Sequence, residues 1–148
     1  MSQAIIERES CSPLLAGIAD RHGYSFVREA ELAEIAANEP LVMLFLAGDW
    51  WRLAESNDVA VVLPELERAL DGHARVLIAH HEDERPLQRK YRFKAFPAIV
   101  FLRDGEYLGT IEGIRDWADY LVEIPEILGR EPSAPPPFQM PAGCGGTN

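Results

Sequence analysis

The sequence predicts an α/β fold: a mixed central sheet flanked by helices on both faces, with an extra N-terminal helix. Three observations carry this. Leu41 to Ala47 is an unbroken apolar run, which suits a central strand covered on both faces. Segments with helical apolar spacing alternate with short strand-like runs, as when helices return between the strands of one sheet. Phe96-Pro97 then opens a β-branched and aromatic run, Ala98 to Leu102, which passes through Asp104-Gly105 into a second alternating run. That pattern reads as a proline entering a buried hairpin, where its missing N–H costs the ladder nothing.

Taken in order, Ser12 is an N-cap with Pro13 in the first turn, and Gly23 closes the short helix that Leu14, Leu15 and Ile18 anchor. Tyr24 to Val27 is a short strand. Glu29 to Asn38 reads as a helix that stops before Pro40, and the apolar run from Leu41 follows. From Asp58 to Asp71, Val59, Val62, Leu63, Leu66 and Leu70 form one helical stripe, which Pro64 should kink. Gly72 ends it, Arg75 to His80 is the next strand, and Pro86 to Arg92 a short helix. After the hairpin a last helix spans about Asp116 to Leu128. Its residues Trp117, Tyr120, Leu121, Ile124 and Leu128 are expected to face inward, with Asp116, Asp119, Glu123 and Glu126 on the other side. The order is a helix followed by β-α-β-α-β-α-β-β-α.

With 148 residues, 47% of them hydrophobic, the chain is expected to form one domain over 1–129, with a core of its own. Residues 130–148, rich in Pro and Gly, are expected to be a disordered tail. A net charge of −10 argues against nucleic acid and anionic membrane surfaces; it fits either solubility alone or a basic partner. The longest apolar run is too short to span a bilayer, and acids stand where a signal peptide would carry its basic end. A cytoplasmic protein without membrane insertion is the expectation. Cys11 and Cys144 lie near opposite ends without a Cys-x-x-Cys, so neither a disulfide framework nor a zinc site follows, and no cofactor is expected.

The stretch Tyr91, Phe93, Phe96-Pro97, Asp104-Gly105 and Gly113, together with the proline-containing helix after the central strand, resembles the thioredoxin fold. That resemblance implies a cis Phe96-Pro97 bond. Oxidoreductases of this fold hold a dithiol between the central strand and the kinked helix, where the helix N-terminus lowers a thiol pKa. Here the segment Ala47 to Asp58 contains no cysteine, so thiol exchange would need Cys11 or Cys144 to reach it.

Trp50 and Trp51 stand in the dithiol's place, with Asp49, Glu55 and Asp58 following or flanking them. Two adjacent tryptophans serve as core or loop anchors, or they line the groove in which this fold holds an extended peptide with the backbone before the proline. The acids Asp58 and Glu65, with Asp116, Asp119, Glu123 and Glu126, are an ordinary solvated face or a merged patch that steers a basic partner. His80-His81-Glu82-Asp83 has metal-ligand residue types, but consecutive side chains at a strand end point apart. A solvated turn, with Asp83 or Glu84 capping the next helix, is the preferred reading.

Asp104-Gly-Glu-Tyr-Leu-Gly109 and Ile111-Glu-Gly-Ile-Arg-Asp-Trp-Ala118, on a thioredoxin-like chain without the dithiol, resemble the HyaE/HupG family of [NiFe]-hydrogenase maturation proteins. The resemblance implies a non-catalytic cytoplasmic assembly chaperone for a membrane-bound uptake hydrogenase. Its implied partner is the small-subunit precursor, bound through the twin-arginine signal peptide before export, with other maturation proteins as further partners. The peptide site expected from groove geometry and charge comprises Trp50, Trp51, Phe96, Pro97, Glu55, Asp58, Glu65, Asp116, Asp119 and Glu123. A thiol oxidoreductase and a metal-carrying accessory protein are the alternatives.

Overall fold

The computed structural model of the protein describes residues 11–136. Its elements are α1 (Pro13–His22), β1 (Ser25–Val27), α2 (Glu29–Ala37), β2 (Val42–Leu46), α3 (Ala54–Ala69), β3 (Arg75–Ala79), a 3-10 turn (His81–Asp83), α4 (Glu84–Tyr91), β4 (Ala98–Arg103), β5 (Glu106–Glu112) and α5 (Trp117–Leu128). The sheet runs β1-β3-β2-β4-β5; β1, β3 and β2 are parallel, while β4 and β5 are antiparallel to their neighbours. Among the described residues no helix is long and apolar enough to cross a membrane.

Every residue of β2 is buried, and the two-residue strand period sorts them between two cores. Met43 and Phe45 join the core under α1, α3 and α5, while Val42, Leu44 and Leu46 join that under α2 and α4. The extra N-terminal helix is α1. Ser12 caps it by accepting the Leu15 N–H at 2.9 Å, and the same hydroxyl donates to Asn57 Oδ1 of α3 at 2.8 Å. Gly23 ends α1 in the left-handed conformation, as its position predicts.

Three helices differ from the expectation, and the smallest difference is in α4, which begins at Glu84 rather than Pro86. α3 begins four residues before Asp58, because its first turn turns inward a polar side chain, Ser56, which an apolar stripe does not register. On α5 Tyr120, Ile124 and Ile127 are buried and Leu128 is partly buried against the same core, while Trp117 and Leu121 are left exposed. The apolar sector of α5 is wider than the strip of sheet beneath it. Pro64 and Pro125 both lie inside their helices, where each removes one backbone hydrogen bond.

Beyond α5 the chain runs beside β5. Ser133 N–H donates to Tyr107 O at 3.1 Å, the Arg103 guanidinium donates to the carbonyls of Leu128 and Arg130, and that of Arg92 to Pro136 O at 3.5 Å. Apart from the one to Leu128, these contacts belong to the first residues of the stretch whose composition predicts a disordered tail. Its remainder, 137–148 with Cys144, lies outside the described residues.

Candidate functional site

The site forms where the loop after β2 meets the turn before β4. The Phe96-Pro97 bond is cis, as expected, and turns the chain into β4. Gly48 has φ +78°, and a β-carbon built on it would lie 2.5 Å from Phe96 Cβ and 2.9 Å from Phe96 Cγ. Glycine is therefore required on two counts, backbone conformation and approach to the neighbouring turn. Phe96 is held in turn by the Phe93 ring, edge-on at 5.3 Å, and by the Arg85 guanidinium 5.2 Å from its centroid.

Under the loop lies Glu84, the first residue of α4, only 4% exposed. Its Oε2 accepts the Gly48 N–H at 3.0 Å, and its Oε1 lies 3.0 Å from His81 Nδ1. Burial raises the pKa of this carboxyl above its ordinary value, while the Gly48 N–H and the His81 ring act in the opposite direction. The His81 ring then meets the edge of Trp51 at 5.9 Å, and Trp51 meets Trp50 at 5.9 Å, nearly perpendicular. A chain of contacts thus runs from buried carboxylate to imidazole to the exposed indole. The opening between Gly48, Arg52, Leu53, His81, Arg85 and Phe96, with Glu84 at its base, is a pocket of about 270 Å³.

Of the expected apolar residues Phe96 lines this pocket, Trp51 is joined to it by the contact with His81, the partly buried Trp50 touches Trp51, and Pro97 is buried in the turn beside Phe96. The acids fall elsewhere. Glu55 and Asp58 are exposed on the first turns of α3, and Glu65, farther along, pairs with Arg68 at 2.6 Å. Asp116 and Asp119 are exposed at the start of α5, whereas Glu123 pairs with Arg115 at 3.0 Å. Two of the predicted peptide-binding acids are therefore already matched by arginines of their own surroundings. Cys11 stands just before α1, its thiol donating to Ser12 O at 3.1 Å.

Glu84 is the residue that the sequence reading missed. Asp83 stands at the predicted N-cap position of α4, but its side chain makes no capping bond: it accepts from the Glu29 N–H at 2.7 Å and pairs with Arg28 at 3.2 Å. The 3-10 turn is correspondingly less solvated than predicted, with His81 half-buried against Trp51 and Glu84. A signal was present in the spacing. Glu84, Leu87 and Tyr91 are the buried positions of α4, so its apolar stripe extended one turn back lands on the carboxylate.

Comparison with known proteins places the chain. The sequence profile described as "Hydrogenase-1 expression protein HyaE" matches residues 14–120. The chain belongs to the HyaE family. A hydrogenase expression/formation protein HoxO of Cupriavidus necator is 34% identical over 144 residues, covering 94% of this chain and 89% of HoxO. A crystal structure of the hydrogenase expression/formation protein HupG from Rhodopseudomonas palustris superposes with a TM-score of 0.51 at 34% identity, covering 70% of this chain and 94% of HupG. A thioredoxin from Halobacterium salinarum superposes at 0.57 with 20% identity, over 74% of this chain and 95% of that one. The fold is thioredoxin-like, built here around a loop that carries tryptophans and no cysteine.

Proposed function

We propose that the protein is a non-catalytic cytoplasmic assembly chaperone for a membrane-bound [NiFe] uptake hydrogenase, binding the twin-arginine signal peptide of the small-subunit precursor before export. The observation that carries this reading is the content of the groove. Where oxidoreductases of this fold hold a thiolate, this chain has a pocket lined by the buried Glu84 and by His81, whose ring meets the exposed Trp51, in a family described by hydrogenase expression. A carboxylate cannot exchange disulfides, whereas an exposed indole beside a cis-proline turn is suited to gripping an extended apolar segment. Exposed acids at Glu55, Asp58, Asp116 and Asp119, within a net charge of −10, favour a partner carrying paired arginines.

The test is a titration with a synthetic twin-arginine signal peptide, its Arg-Arg to Gln-Gln variant and a scrambled control, at low and high salt. Micromolar binding that requires the arginines and weakens with salt is expected. Equal affinity for all three peptides would refute signal-peptide recognition. Insulin-disulfide reduction by the purified chain would refute the non-catalytic role.

A further inference from the structure

The groove does not stop at the proline. Gly113, the residue after β5, donates its N–H to Pro97 O at 2.7 Å, so the connection into α5 lies directly against the cis-proline turn. From that junction three large apolar side chains stay open to solvent: Ile114 at 37%, Trp117 at 44% and Leu121 at 50%. Trp117 and Leu121, four residues apart, share one flank of α5. Trp117 is held in place by an edge contact to the buried Tyr120 at 6.5 Å. The adjacent cation, Arg115, is engaged with Glu123 at 3.0 Å and with the Glu112 carbonyl. Asp116 and Asp119 are exposed beside the ridge.

We infer that Ile114, Trp117 and Leu121 form a second stretch of the peptide site, which takes the uninterrupted apolar run of the bound peptide while Asp116 and Asp119 meet its basic end. The occupant is a peptide in which arginines precede a block of apolar residues, which rests on the signal-peptide reading above. Charge selects this occupant. Acids line the apolar ridge, its nearest arginine is already matched, and the chain's net charge of −10 repels an anionic membrane that would otherwise suit exposed tryptophan.

The experiment uses the full chain and three variants: a Trp117→Ala/Leu121→Ser pair, an Asp116→Asn/Asp119→Asn pair, and Val122→Ser, a control at a 69% exposed position of the same helix. Each is titrated with the signal peptide, and its melting temperature and sedimentation are recorded. The apolar pair is expected to weaken binding by about tenfold or more with its salt dependence kept. The acidic pair is expected to flatten the salt dependence, and Val122→Ser to bind as the wild type. Wild-type affinity in the Trp117→Ala/Leu121→Ser protein, alongside peptide binding by the wild type, would overturn the ridge and leave the signal-peptide reading standing. Equal weakening by Val122→Ser, or a wild-type dimer that this apolar pair dissociates, would also overturn it. A wild type that binds no signal peptide would remove both.

Discussion

Gly48→Ala measures how tightly the groove is built. A φ of +78° costs a residue with a β-carbon about 1–2 kcal/mol. The new methyl would also lie 2.5 Å from Phe96 Cβ and 3.3 Å from Leu53 Cδ1. Carbon atoms in contact normally sit about 3.5–4.0 Å apart. Forcing that separation costs a further 1–3 kcal/mol or so, for a total of roughly 2–5 kcal/mol. In a chain of this size such a loss lowers the melting temperature by roughly 5–15 °C. Gly23→Ala is the matched control, since Gly23 has φ +72° but a methyl placed on it would meet nothing within 4 Å. Urea denaturation of the two variants separates conformation from contact: Gly23→Ala should show only the first part of the loss, Gly48→Ala both. Equal losses in the two, at unchanged m-value, would refute the close approach of the loop to Phe96.

Burial raises the Glu84 pKa, so the folded chain keeps this proton to higher pH than the unfolded chain. The associated stability is present below the ordinary glutamate pKa, about 4.3, and is lost as pH rises through the raised folded value. Glu84→Gln keeps an acceptor for the Gly48 N–H, so its urea midpoint should lose that decline with pH, and parallel pH profiles for the two proteins would contradict the assignment. Ser12→Ala removes both the α1 cap and the Ser12–Asn57 bond and is expected to cost about 1–3 kcal/mol, read by chemical denaturation. A loss below about 0.5 kcal/mol would mean that neither bond contributes. Trp51→Ala, at a 45% exposed position, should weaken signal-peptide binding by about tenfold or more with little change in melting temperature; unchanged affinity would take Trp51 out of the site.

The fold was legible wherever a period or a terminator determines the structure. The unbroken apolar run became the fully buried β2, because a strand between two helical layers has no polar face. Ser12 and Gly23 marked the ends of α1 through the backbone groups that they satisfy. What the periodicity left undetermined is how wide a strip of each helix the sheet covers. On α5 the sequence shows one apolar sector from Trp117 to Leu128, and only the packing separates Tyr120, Ile124 and Ile127 from the exposed Trp117 and Leu121. Hydropathy is the same on both sides of that boundary. The exposed half is therefore invisible to a pattern argument, although it is the half available to a partner.

The candidate site was legible by location but not by its base. Phe96-Pro97 and the loop after the apolar run are local signals, readable because a proline and a strand end constrain the chain around them. Glu84 acquires its role through Gly48, which lies 36 residues away in sequence. The spacing of Glu84, Leu87 and Tyr91 marks the carboxylate as buried, but it does not say which distant loop the carboxylate reaches. The consequence is physical. Glu84 is bonded to the Gly48 loop and to His81, whose ring touches Trp51, so the exposed indole is linked through the imidazole to a buried ionisable group. The position of Trp51 should accordingly respond to Glu84→Gln even though the two side chains share no direct bond. Unaltered tryptophan fluorescence in that variant, across the pH range in which its stability departs from that of the wild type, would show that the contacts through His81 do not transmit the change.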